Sequence, residues 1–123
     1  MALKVKTGVE FGASLAPAGA RILDALKQLS RQYVFDVTIT SARDGAHSGP
    51  NDPHHTGEAF DLRTHGLTDG QRDRLLHDLQ AVLYLDPRRF YAFLEAPGTP
   101  NEHIHVQRRA GTIYSVQDYL NDR

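Results

Sequence analysis

The sequence predicts an α+β domain, a small and mainly antiparallel sheet with two main helices packed on one face and a long loop that carries the functional residues. Three observations predict it. Two segments, about 17–32 and 69–84, repeat apolar residues at helical spacing. Short β-branched and aromatic runs alternate with them, and the last two, joined by a short turn, should pair antiparallel. Residues 41–57 cluster Gly, Pro, Asn and Asp, the composition of a loop.

Leu3, Val5, Thr7 and Val9 alternate with polar or small residues, a weak strand pattern. Pro17 suits the first turn of a helix, whose apolar face is Ile22, Leu23, Leu26 and Leu29. Residues 34–40 read as a strand with Phe35, Val37 and Ile39 on one side. The loop 41–57 is long for so small a domain, and its His and Arg content favours a functional role. Residues 58–64 form a short strand. Thr68 and Gln71 then have the spacing of a capping box, followed by the stripe Leu75, Leu76, Leu79, Val82 and Leu83, which Asp86-Pro87 ends. Residues 89–95 and 102–108 are strands around a turn at 96–101, and Ser115 with Asp118 marks a short last helix at about 116–121.

The chain's 123 residues make one domain, spanning 1–123, with enough surface to bury for a core that needs no staples. The formal charge of −1 leaves no basic field for nucleic acid. No run is long and apolar enough to span a membrane, and the N-terminus lacks the apolar stretch of a signal peptide. The expectation is a chain made in the cytoplasm, with a monomer favoured and no membrane or nucleic-acid partner. The sequence has no cysteine, which excludes disulfides, thiolate nucleophiles and Cys-type metal sites. Any metal must be held by His and carboxylates. Seven histidines are present, four of them in two tight pairs.

Those pairs lie in two segments, Asp52-Pro53-His54-His55-Thr56-Gly57-Glu58-Ala59-Phe60-Asp61 and Asn101-Glu102-His103-Ile104-His105. A catalytic zinc takes three protein ligands, keeps one position for water, and lowers that water's pKa towards about 7. A carboxylate can then take the proton, and a fixed cation can stabilise the oxyanion. Gly57 permits the sharp turn that folds His54 back over the strand of Asp61. Ala59 and Asp61 share a face by period two, as do His103 and His105, one of which can bind metal while the other meets the bound water or substrate. His55 stands beside His54 as the alternative ligand. His47, His65 and His77 read as ordinary surface histidines.

The order His54, Gly57, Ala59, Asp61, followed by Glu102, His103 and His105, resembles the hedgehog/D-Ala-D-Ala-peptidase superfamily. That superfamily includes zinc D-Ala-D-Ala carboxypeptidases, D-Ala-D-Ala dipeptidases and phage endolysin peptidases. The resemblance covers about residues 38–106. It implies Zn2+ on His54, Asp61 and His105, with Glu102 as general base and acid and His103 beside the zinc-bound water. It implies Arg43, which follows the strand before the loop, as the cation for the tetrahedral intermediate. The implied substrate is a peptidoglycan stem peptide or another D-amino-acid-containing peptide, reached in the cell wall after release of the protein. The sequence departs from the family in having Asp52 where a Ser is common, and His103 where an aromatic residue often follows the base. In a regular strand Glu102 and His105 point to opposite faces, so the ligand set needs a bulge or a strand start at 102–103.

Two other readings stand beside this one, the first as its alternative. A non-catalytic zinc-containing cell-wall-binding or phage structural module on the same fold would have no use for Glu102. A non-haem iron oxygenase would place His and Asp two residues apart, unlike the wider spacing of His54 and Asp61.

Overall fold

The computed structural model describes residues 1–11, 17–42, 58–86 and 89–109. In chain order the elements are β1 (Leu3–Val5), α1 (Pro17–Ser30), β2 (Val37–Ser41), β3 (Ala59–Arg63), α2 (Asp69–Leu83), β4 (Phe90–Glu95) and β5 (His103–Arg108). The long loop from 43 to 57 and the last helix expected near 116–121 lie outside the described residues.

The five strands form one sheet in the order β1-β2-β3-β5-β4. β1 runs parallel to β2, and every other pairing is antiparallel. The parallel edge follows from connectivity, since β1 and β2 are joined through α1 and a helical crossover permits parallel pairing. β1 is shorter than the alternation through Val9 suggests. Beyond Val5 the chain turns at Thr7 and Gly8, where Gly8 takes a φ of 93°.

α1 presents Ile22, Ala25, Leu26 and Leu29 to the interior at helical spacing. α2 begins as its sequence dictates, with the Thr68 hydroxyl accepting from the Gln71 N–H and the Gln71 side chain accepting from the Thr68 N–H. Leu75, Leu79 and Leu83 line its buried stripe. Tyr33, just past α1, donates its hydroxyl proton to Asp78 of α2 at 2.6 Å, tying the helices together.

β2 starts at Val37, later than its composition suggests. Val34 is 84% exposed, because Tyr33 and Phe35 stack on each other at 4.5 Å and Asp36 accepts from the Ala2 N–H and pairs with Lys4. These contacts bend residues 34–36 and leave the strand to begin after them.

One face of the sheet, through Val37, Ile39, Phe60, Leu62, Ala92, Ile104 and Val106, packs with the apolar stripes of α1 and α2 into a single core. The alternate residues form the opposite face. There the pairing register makes a grid: Asp61 opposite His105 opposite Phe93, Arg63 opposite His103 opposite Glu95, and Ala59 opposite Gln107 opposite Tyr91. A register shift between Ile39 and Ser41 puts one extra residue on β2 and pairs Ser41 with Asp61. The observed architecture is therefore α+β, with a mostly antiparallel sheet and both helices joined to one core. No helix among the described residues is long and apolar enough to cross a membrane.

Candidate metal centre

Period-two alternation on three adjacent strands builds the site. Asp61 comes from the central strand β3, Glu95 from the end of the edge strand β4, and His103 and His105 from β5 between them. Each offers one nitrogen or oxygen, and these four atoms lie within 4.8 Å of one another. Among the described residues this group could hold a metal ion. His105 is nearly buried and Asp61 and His103 are half-buried, while Glu95 is exposed at the sheet edge. The sheet supplies the rigidity, since every one of these Cα positions is fixed by ladder pairing.

The hydrogen bonds orient both rings. His105 Nδ1 lies 2.9 Å from Asp61 Oδ1, and its Nε2 lies 2.6 Å from Gln107 Oε1. The Gln107 amide nitrogen donates to the Arg108 carbonyl, which turns the amide oxygen towards His105. The ring therefore donates Nε2–H to Gln107 and directs Nδ1 at Asp61. His103 is held in the mirrored sense, its Nδ1 2.6 Å from the Asn101 carbonyl and its Nε2 2.7 Å from Glu95 Oε2 and 3.6 Å from Asp61 Oδ1. Each ring thus gives its outer nitrogen to a neutral oxygen and its inner nitrogen to carboxylates. Acceptors on both sides leave the inner nitrogens of the two rings facing carboxylates, an arrangement that a cation held between them would satisfy.

Burial pulls the His105 imidazole towards its neutral form. The hydrogen bonds to Asp61 and Gln107 and the charges of Asp61 and Glu95 outweigh burial, so the net displacement is upward. The inward pull of two carboxylates on a buried imidazole is the electrostatic signature of a place that favours positive charge. The aromatic rings of Phe93 and Tyr91 border it, with centroids 5.5 and 6.3 Å from that of His105.

The structure brings together three of the residues singled out in the sequence, namely Asp61, His103 and His105. Arg43, His54 and the alternative His55 lie outside the described residues. Glu102 is not brought to the group. Its carboxylate accepts from the Thr64 hydroxyl at 2.7 Å and the Gly98 N–H at 3.2 Å, and meets Arg72 of α2 at 3.4 Å. β5 does start at His103, as the geometry of the second motif required, yet Glu102 turns towards α2 instead of the Asp61 side. The irregularity sits instead on β2, next to Asp61.

Glu102 has a consequence of its own. The Thr64 hydroxyl first, then the Gly98 N–H and Arg72, hold its carboxyl below the usual glutamate range, against an opposing effect of desolvation. A carboxyl lowered in the folded state contributes stability above its unfolded value and loses it as pH falls through the folded value. Glu102→Gln should therefore be less stable than wild type at neutral pH, and the gap should close as pH falls through and below the usual glutamate range. Urea midpoints measured across that range check this, and a gap that stays constant with pH refutes it.

Sequence reasoning missed Glu95 and Gln107. Glu95 closes a strand that looked structural, and only the β4–β5 register aligns it with His103. Gln107 follows His105 by two residues on one strand, a spacing that puts both on the same face and was available as a signal.

Comparison with protein-family models, with curated proteins and with solved structures gives no match to this chain.

Proposed function

We propose that the protein is a zinc-dependent peptidase acting on peptidoglycan stem peptides or related D-amino-acid-containing peptides, on a fold of the hedgehog/D-Ala-D-Ala-peptidase type. The observation that carries the metal centre is the paired orientation of His103 and His105, each anchored on its outer nitrogen and turned inward to Asp61 and Glu95. The donor set fits zinc, which accepts imidazole nitrogen and carboxylate oxygen at about 2.0–2.2 Å. The substrate class and the reaction rest on the motif resemblance.

Asp61 and His105 Nδ1 would hold the ion, together with His54 as the resemblance implies. When bound, zinc supplies a hydroxide at neutral pH by lowering the pKa of its water to about 7. Gln107 fixes the His105 tautomer that leaves Nδ1 as the donor. His103 Nε2 stands at the edge of the group, oriented by the Asn101 carbonyl and Glu95, where it can accept the water's proton and return it to the leaving amine. This gives the proton to the His103–Glu95 pair in place of Glu102, whose carboxylate is engaged with Thr64, Gly98 and Arg72. Arg43 keeps the oxyanion role implied by the resemblance.

Mass spectrometry of purified peptidoglycan after incubation with the zinc-loaded protein, beside a chelated sample, tests the reading. New peptide ends that disappear with chelator are expected, and their identity names the bond. Absence of new ends from peptidoglycan and from soluble D-amino-acid peptides alike would overturn it in favour of a non-catalytic zinc module.

A further inference from the structure

We infer that the cavity between α2 and the outer edge of β4 is a carboxylate-binding subsite for an extended peptide substrate. It has a volume of about 470 Å³. Its floor is apolar, built on Leu79 and Leu83, and its mouth carries Arg89, Arg109, Tyr84 and Tyr91. Among the described residues that line it, the charged side chains are Arg89 and Arg109. A wall with two guanidinium groups and two phenols suits a carboxylate, which accepts from planar N–H forks and from hydroxyls at once.

The backbone points the same way. Arg89 adopts a φ of 54°, in the left-handed region where glycine is the less strained residue. It is held there by two backbone hydrogen bonds, from its own N–H to the Asp86 carbonyl and from the Arg109 N–H to its carbonyl. The second bond couples the two arginines. A long cationic side chain at a position whose conformation disfavours it suggests a use for the side chain.

A chain of ring contacts runs from the rim of the cavity to the metal centre, which lies on the sheet face opposite Leu79 and Leu83. The Arg109 guanidinium lies 5.2 Å from the centroid of the Tyr91 ring, Tyr91 stacks on Phe93 at 5.8 Å, and Phe93 lies 5.5 Å from His105. Tyr91 stands opposite Gln107, two residues along β5 from His105, and Arg109 follows two residues later. At about 3.3 Å per residue, an extended peptide lying on this aromatic strip reaches the arginines two to four residues from the bond at the metal. A carboxylate that far from the reacting bond is a side-chain carboxylate of the substrate and not the carboxyl of the residue being released. The identity of the ligand as a peptide rests on the peptidase reading; the preference for its charge does not.

The test uses capped hexapeptides that carry a single Glu, each beside its Gln counterpart, titrated by calorimetry into the zinc-loaded protein and into chelator-treated protein. The Glu peptide should bind at least about tenfold more tightly than the Gln peptide in both preparations. Persistence of the preference after chelation separates this inference from the metal reading. Arg109→Gln should abolish the preference. Arg89→Gly should abolish it while melting roughly 2–6 °C higher than wild type, because the left-handed strain is relieved. Equal binding of the two peptides by wild type, or a preference that survives in both variants, overturns the inference.

Discussion

His105→Ala and Asp61→Ala should each remove stoichiometric zinc binding and reduce hydrolysis more than about a thousandfold, while leaving the far-UV circular dichroism intact. The size of the effect follows from the geometry. Asp61 Oδ1 is shared between both rings, at 2.9 Å from His105 Nδ1 and 3.6 Å from His103 Nε2, so truncating it removes the oxygen that faces both inner nitrogens. Truncating His105 removes the most buried member of the group. Graded variants separate holding the ion from orienting its ligands. Gln107→Leu leaves every ligand atom in place but takes away the acceptor of His105 Nε2–H, and zinc affinity should fall roughly 10–100-fold. Glu95→Gln keeps the shape of the His103 partner but removes its charge, and should lower kcat more than zinc affinity if His103 handles the proton. Zinc content by atomic absorption and competition with a chromophoric chelator give the affinities, and initial rates on a released stem peptide give kcat. An Asp61→Ala protein that still carries zinc at wild-type affinity would refute the site. A Glu95→Gln protein with unchanged kcat would return the proton to another group.

The sequence made the fold legible where local chemistry and burial agree. The Thr68–Gln71 box has a local cause and the structure realises it; of the stripe Leu75, Leu76, Leu79, Val82 and Leu83, the first, third and last are buried, Leu76 packs partly buried against the core and Val82 is exposed. The side of the sheet taken by Asp61, His103 and His105 was equally legible, because period two leaves no freedom once Ile104 and Val106 must face the core. Glu95 was not legible, since its partnership with His103 depends on the register across the β4–β5 turn, where Ala96 and Gly98 both take positive φ. Nor was the fate of Glu102. In sequence it is a carboxylate three residues before a ligand; in space the Thr64 hydroxyl and Arg72 claim it from an element distant in the chain. Long-range pairing decides such cases, and a single sequence records only the two ends of the pair.

Phe60→Ala should cost about 3–5 kcal/mol, a large share of the roughly 5–15 kcal/mol that holds a domain of this size together. Phe60 is fully buried on the central strand, pairs with Val106 of β5, and meets the Phe11 ring at 5.8 Å. On β3 the residue after Phe60 is Asp61. The destabilisation and the metal site are therefore linked through one strand. A ligand that binds only the folded state adds stability by mass action, about 2.7 kcal/mol at a hundred times its dissociation constant. Urea denaturation of the variant should show a much lower midpoint with chelator present, and saturating zinc should restore part of the loss at an unchanged slope. The same zinc increment should appear in wild type and vanish in the Asp61→Ala background, because in the proposed ligand set Asp61 ties the ion to the central strand. A midpoint indifferent to zinc in wild type would show that the proposed Asp61–His105 centre does not take the ion in the folded protein. A zinc increment that survives Asp61→Ala would place the ion elsewhere in the chain. The core and the centre are two faces of β3, and this pair of variants measures how strongly that single strand couples them.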